Sequence, residues 1–94
     1  MVNLAANISM LFQDRPLLDR IDAAAAAGFK AIECVAPYDV PEQAIAERLA
    51  QCGIRSVLFN MPMGDFAAGE RGMAANPARR EAFIESVKLT RRYV

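Results

Sequence analysis

Histidine and tryptophan are both missing from this 94-residue chain. Without histidine, Ser-His or Cys-His nucleophilic catalysis and imidazole metal ligation cannot be assembled from these residues alone. Cysteine is scarce: Cys34 and Cys52 are too few for a disulfide scaffold and fit a reducing compartment. An excess of one charge is lacking too, with 11 Lys+Arg against 11 Asp+Glu. A balanced chain whose basic residues are scattered has no long-range field to draw in a polyanion, so neither nucleic acid nor an anionic membrane is expected as a partner. The longest apolar run, Ala23 to Ala27, falls far short of the roughly 20 residues that cross a bilayer. The opening Met1-Val2-Asn3-Leu4 has neither a basic n-region nor an apolar h-region. A cytoplasmic protein is expected. No glycine-rich phosphate loop and no metal-ligand cluster stands out.

What is present is a 54% hydrophobic composition, that of a small globular chain, and an internal repeat. Ala25-Ala26-Ala27-Gly28-Phe29-Lys30-Ala31-Ile32 and Ala50-Gln51-Cys52-Gly53-Ile54-Arg55-Ser56-Val57 share one pattern: helix end, glycine, apolar, basic, small, aliphatic. Glycine ends a helix cheaply in the left-handed region, and the apolar and β-branched residues after it suit a buried strand. Helical spacing of Leu17, Ile21, Ala24 and Ala25 predicts a first helix over Pro16 to Ala27, its start marked by Asp14 or Arg15. A second opens at Pro41-Glu42, with Asp39 and Glu42 as a capping pair and Ile45, Leu49 and Cys52 inside, and ends at Gly53. A third follows Asn76-Pro77, buries Phe83, Val87 and Val94, and runs to the last residue. Strands are expected at Leu4–Met10, Ala31–Ala36 and Ile54–Asn60, apolar enough to be covered on both faces. The expected fold is α/β, a parallel (βα)3 segment with its helices on one side, the first three units of a (β/α)8 barrel that needs about 250 residues to close. Residues 1–94 are thus expected to be the N-terminal part of one barrel domain.

The longest connection, Met61 to Asn76, follows the carboxyl end of the third strand, where parallel α/β folds place their ligands. Gly64, Gly69 and Gly72 supply hinges, and Phe66 and Met73 the apolar weight of a lid; the alternative is a flexible surface loop in which Glu70 and Arg71 are merely solvated. Aligning the two glycine repeats pairs Ile32 with Val57 and Glu33 with Leu58. Strand alternation then sends Ile32 and Val57 under the helices, and Glu33, Leu58 and Asn60 to the other face. A carboxylate there must be hydrogen-bonded, paired or wet. Glu33 is therefore a candidate for holding a substrate hydroxyl, orienting a catalytic group or pairing with a cation such as Arg71, against a plain structural ion pair. Asn60, Asn7 and Ser9 offer neutral hydrogen bonds, or cap their own turns. Cys34 falls on the face opposite Glu33, as a small core residue.

Several segments together carry a resemblance: Asn7-Ile8-Ser9-Met10-Leu11-Phe12, Ala27-Gly28-Phe29-Lys30-Ala31-Ile32-Glu33 with Pro37-Tyr38-Asp39, Leu58-Phe59-Asn60-Met61-Pro62, and Gly64-Asp65-Phe66-Ala67-Ala68-Gly69-Glu70-Arg71-Gly72. The chain resembles the hydroxypyruvate isomerase family, a group of xylose-isomerase-like TIM barrels that includes the 2-oxo-tetronate isomerases. It departs from the family in having Phe66 where tryptophan is usual and no second glycine between Gly72 and the third helix. The resemblance implies an N-terminal segment of an aldose-ketose isomerase working through an enediolate, with a small hydroxy-oxo acid as substrate. It implies that the catalytic residues, and the ligands of any divalent metal, lie on later strands, so that this chain alone is inactive. Glu70 and Arg71 become candidate substrate-binding residues on the loop, and Glu33 and Asn60 candidate residues lining the barrel mouth. Arg71 is the candidate for recognising the substrate carboxylate, since a guanidinium fork donates two parallel hydrogen bonds. Alternatives are a catalytically incompetent fragment that self-associates through its bare sheet face, a 2-oxo-tetronate isomerase or sugar epimerase, and an endonuclease-IV-like enzyme, which the neutral charge disfavours. A homo-oligomer is expected.

Overall fold

The computed structural model describes residues 2–94, which fall into two compact units, Met1–Asn60 and Met61–Val94. In the first, β1 (Ala5–Asn7), α1 (Leu17–Ala26), β2 (Ala31–Cys34), α2 (Glu42–Cys52) and β3 (Arg55–Phe59) alternate along the chain. The three strands pair in parallel in the order β1-β2-β3. The α/β alternation and the parallel pairing are as the sequence predicts, but the strands are shorter. β1 stops at Asn7 because the chain turns there: the Asn7 carbonyl accepts the Met10 and Leu11 N–H groups, and its side-chain oxygen accepts the Ser9 N–H at 3.0 Å. Asn7 thus caps its own turn.

The glycine repeat is a repeated helix stop. Phe29 N–H donates to the Ala24 carbonyl and Ile54 N–H to the Leu49 carbonyl, the long-range bond of a Schellman motif, with Gly28 at φ +95° and Gly53 at φ +66°. Each stop delivers the chain to a strand start, where Arg55 N–H meets the Lys30 carbonyl. Helix starts are less well marked. Pro16 and Pro41 are the N-caps of α1 and α2, and neither makes a side-chain cap bond, so Pro41 rather than the expected Asp39 stands at the start of α2. Proline's fixed φ leads each first turn instead.

Ala6, Ile8, Ile21, Ala24, Ile32, Cys34 and Ile54 form the core of this unit, with Leu17, Ala25, Ile45, Leu49 and Cys52 packed against it from the helices. Ile8 and Ile21 are its largest fully buried side chains; each contributes on the order of 1.5–3 kcal/mol by leaving water. Ala6, Ile32 and Cys34 are the helix-facing residues of β1 and β2, and Glu33 alternates to the other face. Val57 does not join Ile32. A bulge between Ile32 and Glu33 pairs Ile32 with Ser56 and Glu33 with Leu58, leaving Val57 as the extra residue, and it is 50% exposed. An added residue on one strand slips the pairing by one, which is what moves a side chain off its expected face.

The second unit holds two short 3-10 turns, Phe66–Ala68 and Pro77–Arg79, and α3 (Arg80–Arg91). Asn76 caps as expected, accepting the Ala78 N–H at 3.1 Å, but it starts the 3-10 turn that precedes α3. Phe83 and Val87 are half-buried rather than buried, α3 ends at Arg91, and Val94 is 95% exposed. No glycine or proline stops this helix; Arg92 and Tyr93 N–H groups close its last turn on Leu89 and Thr90. Among the described residues no helix is long and apolar enough to cross a membrane.

Candidate functional site

The four predicted site residues divide between the units, Glu33 and Asn60 in the first, Glu70 and Arg71 in the second. On the sheet, Asn7, Glu33 and Leu58 form one cross-strand row on the face turned away from the core. Glu33 is half-buried there, and its backbone carbonyl takes the Ile8 N–H at 2.9 Å. Asn60 extends the β2–β3 ladder by one bond, its N–H donating to Val35, while its carbonyl accepts the Tyr38 hydroxyl. Ser9 is structural: its hydroxyl accepts the Val35 N–H at 2.8 Å and donates to the Cys34 sulfur at 3.7 Å.

The loop from Met61 to Asn76 is an ordered ring. Asp65 N–H donates to Glu70 Oε1 at 2.9 Å, and Glu70 N–H donates back to the Asp65 carbonyl at 3.0 Å. Asp65 Oδ1 also takes the Ala68 N–H, and Gly72 N–H closes the base of the ring on the Met63 carbonyl at 2.8 Å. The other side of the Glu70 carboxylate meets Arg79 fork to fork, Nη2 to Oε1 at 2.8 Å and Nε to Oε2 at 2.9 Å. The Asp65 N–H first, and Arg79 second, hold the Glu70 carboxyl below the usual glutamate range. Gly64 makes room for it: at φ +89°, a Cβ there would stand 2.8 Å from the Glu70 carboxyl carbon.

Arg71 points away from this pair. Its guanidinium carbon lies 3.5 Å from the centroid of the Phe66 ring. Nη1 donates to the carbonyls of Phe66, at 3.0 Å, and Glu70, at 2.9 Å. Within Met61–Val94 its Nε and Nη2 bond nothing, so the side-on edge of the fork stays open. A planar cation immobilised on an aromatic face with two parallel donors free is shaped for a carboxylate. Arg79, whose nine-residue separation from Glu70 gives no periodic signal, was outside the predicted set.

Elsewhere, the Cys52 thiol donates to Asp22 Oδ1 at 3.0 Å, and that bond above all raises its pKa, which keeps it a thiol. Arg48 joins the same acidic group, 2.6 Å from Asp22 and 3.4 Å from Asp19, and ties α2 to α1. Phe12, at φ +60°, is a left-handed non-glycine residue in the connection after β1, held there by packing against the core.

The chain aligns closely with known enzymes. It is 51% identical over 86% of its length to a 2-oxo-tetronate isomerase of Pectobacterium atrosepticum, of which it covers 31%. It is 43% identical over 99% of its length to a 2-oxo-tetronate isomerase of Haemophilus influenzae and 41% identical over 99% to a hydroxypyruvate isomerase of Escherichia coli, covering 36% of each. The chain is homologous to hydroxypyruvate and 2-oxo-tetronate isomerases. It spans about a third of the length of these isomerases. A solved structure, described as an AP endonuclease of family 2 from Brucella melitensis, superposes on 99% of the chain with a TM-score of 0.92 and 46% identity, and the match covers 36% of it. No protein-family model matches.

Proposed function

We propose that the chain is the N-terminal (βα)3 part of a (β/α)8-barrel isomerase that interconverts hydroxypyruvate and tartronate semialdehyde, or a closely related hydroxy-oxo acid. The observation that carries this is the open fork of Arg71, set on a loop inside a segment 41–51% identical to enzymes named for such substrates. Moving a proton between the carbons flanking a carbonyl demands a base and stabilisation of the oxyanion that develops. This chain's part is recognition: Arg71 grips the substrate carboxylate, the group common to the hydroxy-oxo acids. Glu33, on the open sheet face, and Asn60, at the end of β3, are the first unit's polar groups that this reading assigns to the barrel mouth. Among the described residues no group of three or more His, Cys, Asp or Glu could hold a metal ion; in this reading the ligands of any divalent ion used by the full-length enzyme lie on later strands. The rest of the barrel covers the open sheet face, where Val57 and Leu58 are 50% and 48% exposed.

The Brucella structure's description favours a second reading, an AP endonuclease. Against it stands the even balance of 11 basic and 11 acidic residues, since binding phosphate backbones depends on a basic surface. Assaying the natural gene product on hydroxypyruvate, with and without chelator, and on an abasic duplex separates the two. Turnover of hydroxypyruvate alone is expected; cleavage of the duplex with no isomerisation would overturn the proposal.

A further inference from the structure

We infer that Glu70 and Arg79 are positioning residues, a latch that presents Arg71 to a carboxylate rather than a pair of substrate ligands. Glu70 has no capacity left for a substrate at its bonded edge: Oε1 accepts from Asp65 N–H and is ion-paired with Arg79 Nη2 at 2.8 Å, and Oε2 accepts from Arg79 Nε. A carboxylate so occupied, next to a receptor for another carboxylate, would repel the substrate were it not neutralised, and Arg79 neutralises it. The two arginines use the same side-on edge, Arg79 on an internal carboxylate and Arg71 with that edge still open. The latch also sets where Arg71 stands. Arg71 follows Glu70 in sequence and bonds the Glu70 carbonyl, and its other carbonyl partner, Phe66, is next to Asp65, the residue Glu70 clasps. Releasing Glu70 from Arg79 therefore loosens both carbonyls that aim the guanidinium. The carboxylate class of ligand rests on the proposed function; the latch itself does not.

The test uses the natural gene product, wild type and the variants Arg79→Ala, Arg79→Lys, Glu70→Gln and Arg71→Lys, with two readouts. Trypsin cleavage after Arg71 reports the ring, and cleavage after Arg48 on α2 reports that the rest is folded. Calorimetric binding of glycerate, which keeps the carboxylate of hydroxypyruvate without its carbonyl, reports the receptor. Arg79→Ala should speed cleavage after Arg71 with cleavage after Arg48 unchanged, and weaken glycerate binding about tenfold, with Arg79→Lys between it and wild type. In the Arg71→Lys background Arg79→Ala should weaken binding far less than it does in the wild type, because the residue acts mainly through Arg71. Unchanged cleavage, unchanged affinity, or losses that add in the double variant would each overturn the latch. A wild type that binds glycerate in this pattern but does not isomerise hydroxypyruvate would sink the isomerase reading and leave the latch standing; one that isomerises but binds no glycerate would sink the inference alone.

Discussion

The two units of this chain are held by different forces. Met1–Asn60 closes on seven buried residues, all apolar or cysteine, whereas the loop of Met61–Val94 closes on one carboxylate that gathers a backbone amide and a guanidinium. Apolar burial is non-directional and insensitive to pH, and suits a scaffold. A charged ring is directional, fixing one rotamer and one register, and suits an element that must aim a side chain. The contrast also separates their vulnerabilities: the first unit answers to lost volume, the second to lost charge or lost space around Glu70.

The sharpest way to break this comparison is to remove volume from the first unit. Ile21 is fully buried in the core, so Ile21→Ala should cost about 2–5 kcal/mol in chemical denaturation. A cost under about 1 kcal/mol would mean that the apolar cluster does not carry this unit. A smaller effect is expected in the loop. Gly64→Ala faces a left-handed backbone and a contact 2.8 Å from the Glu70 carboxyl, and strain of this kind costs about 1–3 kcal/mol. Gly69→Ala is the control, for its φ of +97° is similar but nothing lies within 4 Å. Only Gly64→Ala should eject Glu70 and expose Arg71 to trypsin; equal effects from both would reduce the ring to backbone conformation.

The mildest perturbation is acid. The Glu70 carboxyl lies below its ordinary value, and a group shifted down contributes its stability in full above that ordinary value and loses it as pH falls through the depressed one. Amide exchange at Asp65, whose N–H bonds Glu70, should therefore stay slow, relative to its intrinsic rate, through the normal range of glutamate titration and quicken only below it. Loss of protection above that range would contradict the shift.

Legibility in the sequence followed the same division. The helix stops at Gly28 and Gly53 were readable because each is a local motif, one glycine followed by an apolar residue, and the core residues Ile21, Ala24 and Ile32 because periodicity alone places them. Val57 was misplaced because a bulge is a property of two paired strands, invisible in either one. Asp39 was misplaced as the N-cap because Pro41, with its fixed φ, takes that position. In the loop, Glu70 and Arg71 stood out as charged residues in the longest connection, after the third strand, but their division of labour did not. That division is set by Arg79, whose contact with Glu70 depends on the fold of the ring.

The central claim is that Arg71 is the carboxylate receptor. Steady-state kinetics of the natural gene product on hydroxypyruvate, wild type against Arg71→Lys, tests it most directly. Lysine keeps the charge but not the two parallel donors, so the account predicts a KM raised about tenfold or more with kcat little changed. Kinetics indistinguishable from wild type would contradict it.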